Sequence, residues 1–369
     1  LGIVLIVLIV FAILGAQLIG LSSMDGVKTA KAVGSAQAFW VAEAGLHHAR
    51  ALLRSSSAFR TAPWTLTGNG LNYTANTVVA PDGTTYTITS TGTAPSASRT
   101  VQQTLSVTEG LPAAFNYILF GGGGDLTIRK DANITGDVFQ YGDVEFFQPP
   151  AMTGDVFSTG TVDGYPLTPP PDPPPTMPAL DTSYYDALIA YAQTNGGGAS
   201  TYPLALGGAT LYVMGNESIG DITGPGTLVV SDDASLGQNV ILGDNIWIVS
   251  GGTFTIDKNL QAGTNCLLYA AVGFDIAKTV DISIGNCTLI TPGDISAHKD
   301  LTMSGLLYAG GTITMNKDAT IVGSAIAGQG FDIFKAPNLT YDASQLPTLL
   351  PPGFTTEITL VNILWQEQF

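Results

Sequence analysis

The residues of this sequence that could carry out catalysis are a few scattered carboxylates. Asp275, Asp294 and Asp332 occupy similar positions in the phrases FDIAK, GDISA and FDIFK. Glycan hydrolysis needs two carboxylates that face each other across roughly 5 to 10 Å. These aspartates instead alternate with Phe and Ile, as the outward residues of half-buried strands do. We therefore predict no catalytic residues and no enzymatic activity.

No cofactor is expected, because the metal-binding residue types lack a suitable spacing. His47 and His48 are adjacent on a predicted helix and point in different directions, and His298 stands alone. The pair Asp232-Asp233 could hold Ca²⁺, but its surroundings lack the spacing of a defined calcium loop. Calcium is thus chemically possible and unsupported by any motif.

The composition favours an exposed, turn-rich β protein. The 369 residues include 44 Gly and 21 Pro, and only 11% are charged, against about 25% in typical soluble domains. The net charge of −16 argues against a nucleic-acid partner, because phosphate binding relies on clustered Lys and Arg and the arginines are scattered. An apolar fraction of 45% excludes wholesale disorder.

A long N-terminal helix precedes everything else. No charge occurs before Asp25, and a helix of 24 residues is about 36 Å long, enough to cross the ~30 Å hydrocarbon core of a bilayer. Apolar residues continue at helical spacing through AFWVAEAGLHHARALLR. We predict a transmembrane or assembly-forming helix over residues 1–54.

This pattern resembles the type IV pilins. The helix is apolar and then amphipathic, it is interrupted by Gly15, Gly20 and Gly26, and a β domain follows it. The segment AFWVAEAGLHHARALL is similar to the PilX-type N-terminal region of pilus assembly proteins. The resemblance implies a structural subunit that waits in the inner membrane until the pilus assembly machinery polymerises it. The expected product is a homo-oligomeric helical filament, or fimbrium, on the cell surface.

The expected assembly residues lie along this helix, and one of them departs from the family. They are Leu1, Leu5, Leu8, Phe11, Leu14, Leu18, Phe39, Trp40 and Glu43. Most major pilins carry a glutamate at the fifth mature position, where this sequence has Leu5. The departure leaves open whether the chain is the main subunit, a minor or tip pilin, or an adhesin. A membrane-tethered carbohydrate-binding or carbohydrate-active β-helix is the alternative from another class.

Beyond the helix, the sequence predicts an α+β fold that is mostly β. Short Thr- and Val-rich runs separated by turns indicate an antiparallel β-meander within residues 55–112. A repeat near 20 residues then indicates a parallel, right-handed β-solenoid over 113–345. It is interrupted at 165–200 by a proline-rich run and a short helix, which form either an insertion on the solenoid flank or a linker. Residues 346–369 form a return strand, which either joins the small sheet or caps the solenoid.

Equivalent positions in the repeat predict three columns of stacked side chains. Strand openings fall at Thr227, Ile246, Cys266, Cys287, Leu306 and Ser324. Asn245, Asn265 and Asn286 precede three of them and should form an amide ladder, with Gly305 and Gly323 in the same column. Cys266 and Cys287 should touch, as a disulfide or as two buried thiols. A third column contains Lys258, Lys278, Lys299, Lys317 and Lys335. It is either a basic stripe for an acidic partner, such as the acidic face of another subunit, or a solvated turn.

Overall fold

The chain forms two compact units in the computed structural model, Leu1–Gly110 with Glu357–Phe369, and Leu111–Thr356. The structure describes residues 2–55, 57–60, 63–68, 72–80, 82, 84–347, 350–354 and 357–368. Within these ranges, the side chains of residues 2–16, 18–23, 54–55, 57–58, 108–110, 283–284, 357–360, 362 and 368 are not described.

The first unit packs a long helix, α1 (Gly2–Ser55), against an antiparallel sheet. Ala38, Ala42 and Ala49 on one side of α1 are fully buried. Their small side chains let the sheet approach so closely that a Cβ at Gly92 would lie 2.3 Å from backbone atoms of Ala38 and Ala42. The 3₁₀ helix Ser57–Arg60 follows α1, and the first four strands are β1 (Trp64–Thr67), β2 (Tyr73–Val79), β3 (Thr85–Ala94) and β4 (Ala97–Gly110).

These strands form the predicted meander, and the C-terminal strand completes their sheet. The order is β1-β2-β3-β4 followed by Glu357–Gln368, with antiparallel pairing throughout. The sequence left two positions for the C-terminal strand, in the small sheet or as a cap on the solenoid, and the structure places it in the small sheet. The C-terminal strand is an edge strand with a bulge between Asn362 and Leu364.

The second unit is a β-solenoid whose parallel strands form three faces. Its strands lie in two extended sheets of 13 and 12 strands, and each sheet turns a corner and supplies strands to two faces. Face 1 contains Leu119–Gly121, Val138–Gln140, Val156–Ser158, Thr210–Val213, Gly226–Val230, Ile246–Ser250 and Cys266–Ala270. Face 2 contains Asp125–Ile128, Val144–Phe146, Val162–Asp163, Glu217–Ile219, Gly273–Ile276, Asp294–Ala297, Thr312–Met315 and Gly330–Ile333.

Face 3 is formed by short strands and by parts of longer ones. Its short strands are Asn133–Thr135, Ala151–Thr153, Leu204–Ala205, Ile222–Thr223 and Asn338–Tyr341. Ala234–Leu242 and Thr253–Ala262 continue from face 2 into face 3, and Val280–Thr291, Leu301–Ala309 and Ala319–Ala327 continue from face 3 into face 1. Ile, Leu and Val side chains from all three faces fill a common core.

The spatial order of the coils differs from their order in the chain. Leu119–Gly121 pairs with Ala325–Ala327, and Asp125–Ile128 pairs with Gly330–Ile333. The first coils of the unit therefore stack on its last coil instead of preceding the coil near residue 204. Periodicity does not reveal this order, because every coil presents the same hydrogen-bonding step to any neighbour.

Face 1 is covered on its outer side by the segment that interrupts the repeat. Helix α2 (Ser183–Asn195) lies there, with Tyr185 stacked on Tyr269 at a ring-centroid distance of 3.8 Å. The proline-rich chain before α2 is fixed through its carbonyls, since Tyr308 Oη donates to Pro178 O at 2.7 Å and Tyr141 Oη to Pro175 O at 2.9 Å. The 3₁₀ helices Ala113–Asn116 and Ala343–Gln345 flank the array.

Three predicted strand openings are one residue late. The observed register aligns Gly226, Ile246, Cys266, Cys287, Gly305 and Gly323 in one column. Gly305 thus pairs with Cys287, and Gly323 with Gly305, so neither glycine is in the column of Asn286. This corrects the predicted glycine positions and the predicted openings at Thr227, Leu306 and Ser324. The physical reason is that the last strands run straight through the corner between faces 3 and 1, so those coils omit the asparagine turn.

Candidate functional site

Helix α1 changes its surroundings along its length. Every residue from Met24 to Val33 is exposed, whereas Ala38, Leu46 and Leu53 are buried against the sheet. Residues 24–33 therefore form nearly three helical turns that no other part of the first unit covers. Met24, Val27 and Val33 are large apolar side chains that are more than half exposed there.

The predicted assembly residues fall into two groups. Leu5, Leu8, Phe11, Leu14 and Leu18 belong to α1, but their side chains lie outside the described ones, and Leu1 lies outside the described residues. In the part of the chain that is described in full, no helix has an apolar stretch long enough to span a bilayer. The stretch on which the transmembrane prediction depended lies outside that part.

Phe39, Trp40 and Glu43 form a cluster with the C-terminal strand. Trp365 Nε1 donates a hydrogen bond to Glu43 Oε1 at 3.1 Å, and the Phe39 ring lies edge-on to Trp365 at 6.5 Å and to Trp40 at 5.4 Å. Glu43 thus ties the edge strand to the helix within one chain. The cluster is apolar at the surface, because Trp40 is 69% exposed and Trp365 is 43% exposed.

The three predicted ladder asparagines occupy successive coils. Asn265 Nδ2 donates to Asn245 Oδ1 at 3.4 Å, and Asn286 Nδ2 donates to Asn265 Oδ1 at 3.5 Å. The backbone N–H of Asn265 also donates to Asn286 Oδ1 at 2.6 Å. Asn245 and Asn265 have φ angles of 57° and 55°, in the left-handed region that Asn tolerates better than most residues.

A second asparagine pair, which the sequence reasoning missed, lies at the corner between faces 2 and 3. Asn259 Nδ2 donates to Asn239 Oδ1 at 3.0 Å, and both residues have positive φ. Their spacing of 20 residues was visible in the sequence and could have identified them. Both asparagine columns hold turns together and provide no reactive group.

The two cysteines are free, buried thiols that pair directly in the strand register. Burial raises the pKa of the Cys266 thiol to about 11 and that of Cys287 well above its usual value. The thiolate is the reactive form of cysteine, so neither residue is activated for chemistry at neutral pH.

All lysines of the second unit lie in one row along the corner between faces 2 and 3. Each lysine follows a residue of face 2 by two positions. Those face 2 residues pair from coil to coil in the order Ile256, Ile276, Ala297, Met315, Ile333 and Ile128. The row is therefore Lys258, Lys278, Lys299, Lys317, Lys335 and Lys130. Lys130 escaped the sequence reasoning because its coil stacks out of chain order.

The single arginine of the second unit lies at the same corner, between two phenylalanines. The Arg129 guanidinium carbon is 4.5 Å from the centroid of the Phe334 ring and 5.7 Å from that of Phe147. Its Nη2 also contacts Asp332 Oδ1 at 3.0 Å. The rings are 37% and 55% exposed, so cations and aromatic faces are presented to solvent side by side.

The aspartates singled out in the sequence do not form a catalytic pair. Asp275 and Asp332 share one outward column of face 2 with Ser296 and Thr314 between them, whereas Asp294 lies two residues earlier, opposite Gly273. This corrects their predicted equivalence. Asp275 contacts His298 Nε2 at 3.2 Å, and Asp294 Oδ1 accepts the Thr312 N–H at 2.7 Å. Among the described residues no group of three potential ligands could hold a metal ion.

Many other aspartates bond the backbone of the next coil. Asp143 Oδ1 accepts the Thr161 N–H at 2.7 Å and Asp244 Oδ1 accepts the Thr264 N–H at 2.7 Å. These backbone hydrogen bonds, with those from the threonine hydroxyls, lower the pKa of both carboxyls. Some of the aspartates that make the chain acidic therefore stabilise the stacking of the coils.

Comparison with known proteins gives only distant likenesses. No protein-family model matches the sequence, and no curated protein matches it either. The competence-associated pilin ComZ from Thermus thermophilus aligns over 91% of this chain and 98% of its own, with 16% identity and a TM-score of 0.33. The DUF3494 domain of ice-binding protein 1 from Shewanella frigidimarina aligns over 63% of this chain and 98% of its own, with 13% identity and a TM-score of 0.28.

A third likeness is weaker still. A possible adhesin C-terminal domain from Caldicellulosiruptor kronotskyensis aligns over 62% of this chain and 58% of its own, with 12% identity and a TM-score of 0.22. None of the three TM-scores is high enough to carry an argument about function.

Proposed function

We propose that the protein is a structural subunit of a type IV pilus-like extracellular filament, that it polymerises through α1, and that it has no catalytic role. The observation that supports this proposal is the uncovered stretch Met24–Val33 in a helix whose later turns are packed on a sheet. Most helical stability in proteins comes from packing of the apolar side chains of the helix against other elements. An uncovered helical stretch with exposed Met24, Val27 and Val33 therefore suits burial among helices of other subunits.

The assembly route is part of the same proposal. Before assembly the apolar N-terminal segment would lie in the inner membrane, and the pilus assembly machinery would extract it into a homo-oligomeric filament at the cell surface. In the filament, the PilX-type segment would pack with neighbouring helices. Trp40, 69% exposed on α1, is a suitable contact residue.

A minor or tip pilin, or an adhesin, is the second candidate. Leu5 replaces the glutamate of most major pilins, and the solenoid unit Leu111–Thr356 makes up most of the chain. A large unit is more easily carried at a tip than repeated along a shaft. The two candidates differ in how many copies each filament contains.

The decisive experiment separates these outcomes. Filaments sheared from cells are imaged by electron microscopy, and their protein bands are identified by mass spectrometry. We expect the chain to be the main band if it is the shaft subunit and a trace band if it is a tip protein. A chain that stays in the membrane fraction contradicts both, and favours the membrane-tethered alternative.

A truncation tests the role of the helix. The variant lacking residues 1–28 should fold, because the described buried residues of α1, such as Ala38, Leu46 and Leu53, lie after that segment, but it should not enter filaments. Its circular dichroism spectrum and thermal transition provide the folding control. If the truncated chain still forms filaments, α1 does not drive assembly.

A further inference from the structure

The row of lysines in the second unit combines three properties that a solvated turn does not require. Lys130, Lys258, Lys278, Lys299, Lys317 and Lys335 are all exposed and occupy six successive coils. With Arg129, they are all the lysines and arginines of a unit that is otherwise strongly acidic. Since stacked coils repeat every ~4.8 Å, the row is straight and about 24 Å long.

Most of these ammonium groups have no ion-pair partner among the residues that the structure describes. Lys278 Nζ contacts Asp257 Oδ1 at 2.8 Å, but no described carboxylate lies within 4 Å of the other five lysines. Stacked like charges repel each other, and an anion bound along the row would relieve that repulsion. Carboxylates also lie close to the row in sequence, at Asp131, Asp300 and Asp318 after three lysines and at Asp257 before Lys258, but among these only Asp257 is within 4 Å of a described lysine nitrogen.

We propose that this row binds a linear acidic polysaccharide, a chain of sugars that carry carboxylates, laid along the solenoid axis. The ~4.8 Å step of the coils is close to the length of one sugar ring, so successive lysines can meet successive uronate residues. The exposed Phe147 and Phe334 beside Arg129 provide apolar faces on which a sugar ring can lie at the end of the row. This inference is independent of the filament proposal, because it concerns only the second unit.

Two other anionic partners fit the row less well. Phosphates of duplex DNA repeat every ~3.4 Å along each strand and wind away from a straight row. A second copy of this chain offers no matching acidic row, since its aspartates occupy at most two successive coils of a column, as Asp125 and Asp143 or Asp300 and Asp318 do. Asp143 is also engaged with a backbone N–H.

The test measures binding of fluorescent polygalacturonate to the full chain in a non-ionic detergent, by anisotropy at several salt concentrations. Lys299→Gln with Lys317→Gln removes two of six lysines from the middle of the row. We expect at least a tenfold weaker affinity and, because the salt slope scales with the number of contacts, a slope reduced by about a third. Lys28→Gln with Lys31→Gln, the same change of charge on α1, is the matched control and should leave both values unchanged.

Three further probes decide the class of partner. A neutral linear glucan should not bind, and equal binding of it would contradict a role for the lysines. Single-stranded oligothymidylate that binds more tightly than polygalacturonate at the same salt would overturn the glycan proposal in favour of nucleic acid. Failure of polygalacturonate to bind, or row-dependent self-association measured by ultracentrifugation, would also overturn it. An unchanged thermal transition of the double variant excludes unfolding as the cause.

Discussion

The two units of this chain keep their structure by different means. In the first, a helix and a sheet meet at a few irreplaceable places where no side chain fits, and Gly92 beneath Ala38 and Ala42 is the clearest. In the second, the same small hydrogen bonds recur from coil to coil, as in the columns of Asn265 and Asp244. We therefore expect single substitutions to cause large losses of stability at a few positions of the first unit. In the second unit we expect smaller losses at many positions.

The largest expected effect is that of Gly92→Ala. A Cβ there would lie 2.3 Å from backbone atoms of α1, which cannot move as the end of a side chain can, so the helix must shift away. We expect the free energy of unfolding of the first unit to fall by about 3 kcal/mol. Urea titration followed by tryptophan fluorescence reports this unit, because three of the four tryptophans belong to it.

The matched control is Gly26→Ala in α1. Nothing lies within 4 Å of a Cβ at Gly26, and alanine favours a helix over glycine by up to about 1 kcal/mol. This variant should be neutral or slightly stabilising. Equal destabilisation by both substitutions would mean that close helix–sheet contact is not what holds the first unit together.

A smaller effect is expected from Asn265→Ala in the second unit. The substitution removes the amide ladder bonds and puts alanine at φ 55°, so it should cost about 2 kcal/mol. Asn265→Gly should recover part of the loss, because glycine accepts this backbone conformation. Asn286→Ala removes ladder bonds at a residue without positive φ and should cost less. Thermal unfolding of the three variants measures the order, and equal losses would contradict a backbone contribution.

The repeat of the solenoid was the most informative feature of the sequence, and the long N-terminal helix and the antiparallel meander were also predicted. A period near 20 residues and the Asn245, Asn265 and Asn286 spacing follow directly from the fixed step between parallel strands. The stacking of residues 118–163 on the last coil could not be predicted, because the backbone hydrogen-bonding groups at a strand edge are the same in every coil. Lys130 and Arg129 were missed for this reason.

The register of individual residues within a corner could not be predicted from the sequence either. Gly305 and Gly323 were assigned to the asparagine column because the repeat shortens to 18 residues without a visible deletion site. The contact between Gly92 and α1 left no periodic signal, since it occurs once. The hydrogen bond between Trp365 and Glu43 joins residues 322 positions apart. It could not be predicted, because the sequence left open whether the C-terminal strand joins the small sheet.

A further test of the comparison uses the thiols of the second unit. Cys266 and Cys287 are buried, and burial raises the pKa of Cys266 to about 11. Alkylation at pH 8 should therefore be slow in the folded protein and fast in urea, with both thiols recovered unmodified from native protein by mass spectrometry. Rapid modification of either thiol in the native state would show that the corner near Asn265 opens locally.

The smallest expected effect concerns acid. The pKa is clearly lowered for five described carboxyls of the second unit and one of the first. Those of the second unit are Asp143, Asp181, Asp244, Asp257 and Asp342, and that of the first unit is Asp82. A carboxyl whose folded pKa is below its unfolded pKa stabilises the fold above the unfolded value, near pH 4, and loses that contribution as the pH falls through the folded pKa.

The second unit should accordingly lose more stability than the first between about pH 4 and pH 2. Hydrogen exchange followed by mass spectrometry separates the two units by peptide. Asp244→Asn keeps an oxygen that can accept the Thr264 N–H but cannot titrate, so it should flatten the acid dependence around that corner while lowering stability slightly at pH 7. Asp172→Asn, at an exposed residue of the proline-rich segment, is the matched control. If both variants keep the wild-type acid dependence, the coil-to-coil carboxylate bonds do not distinguish the two units.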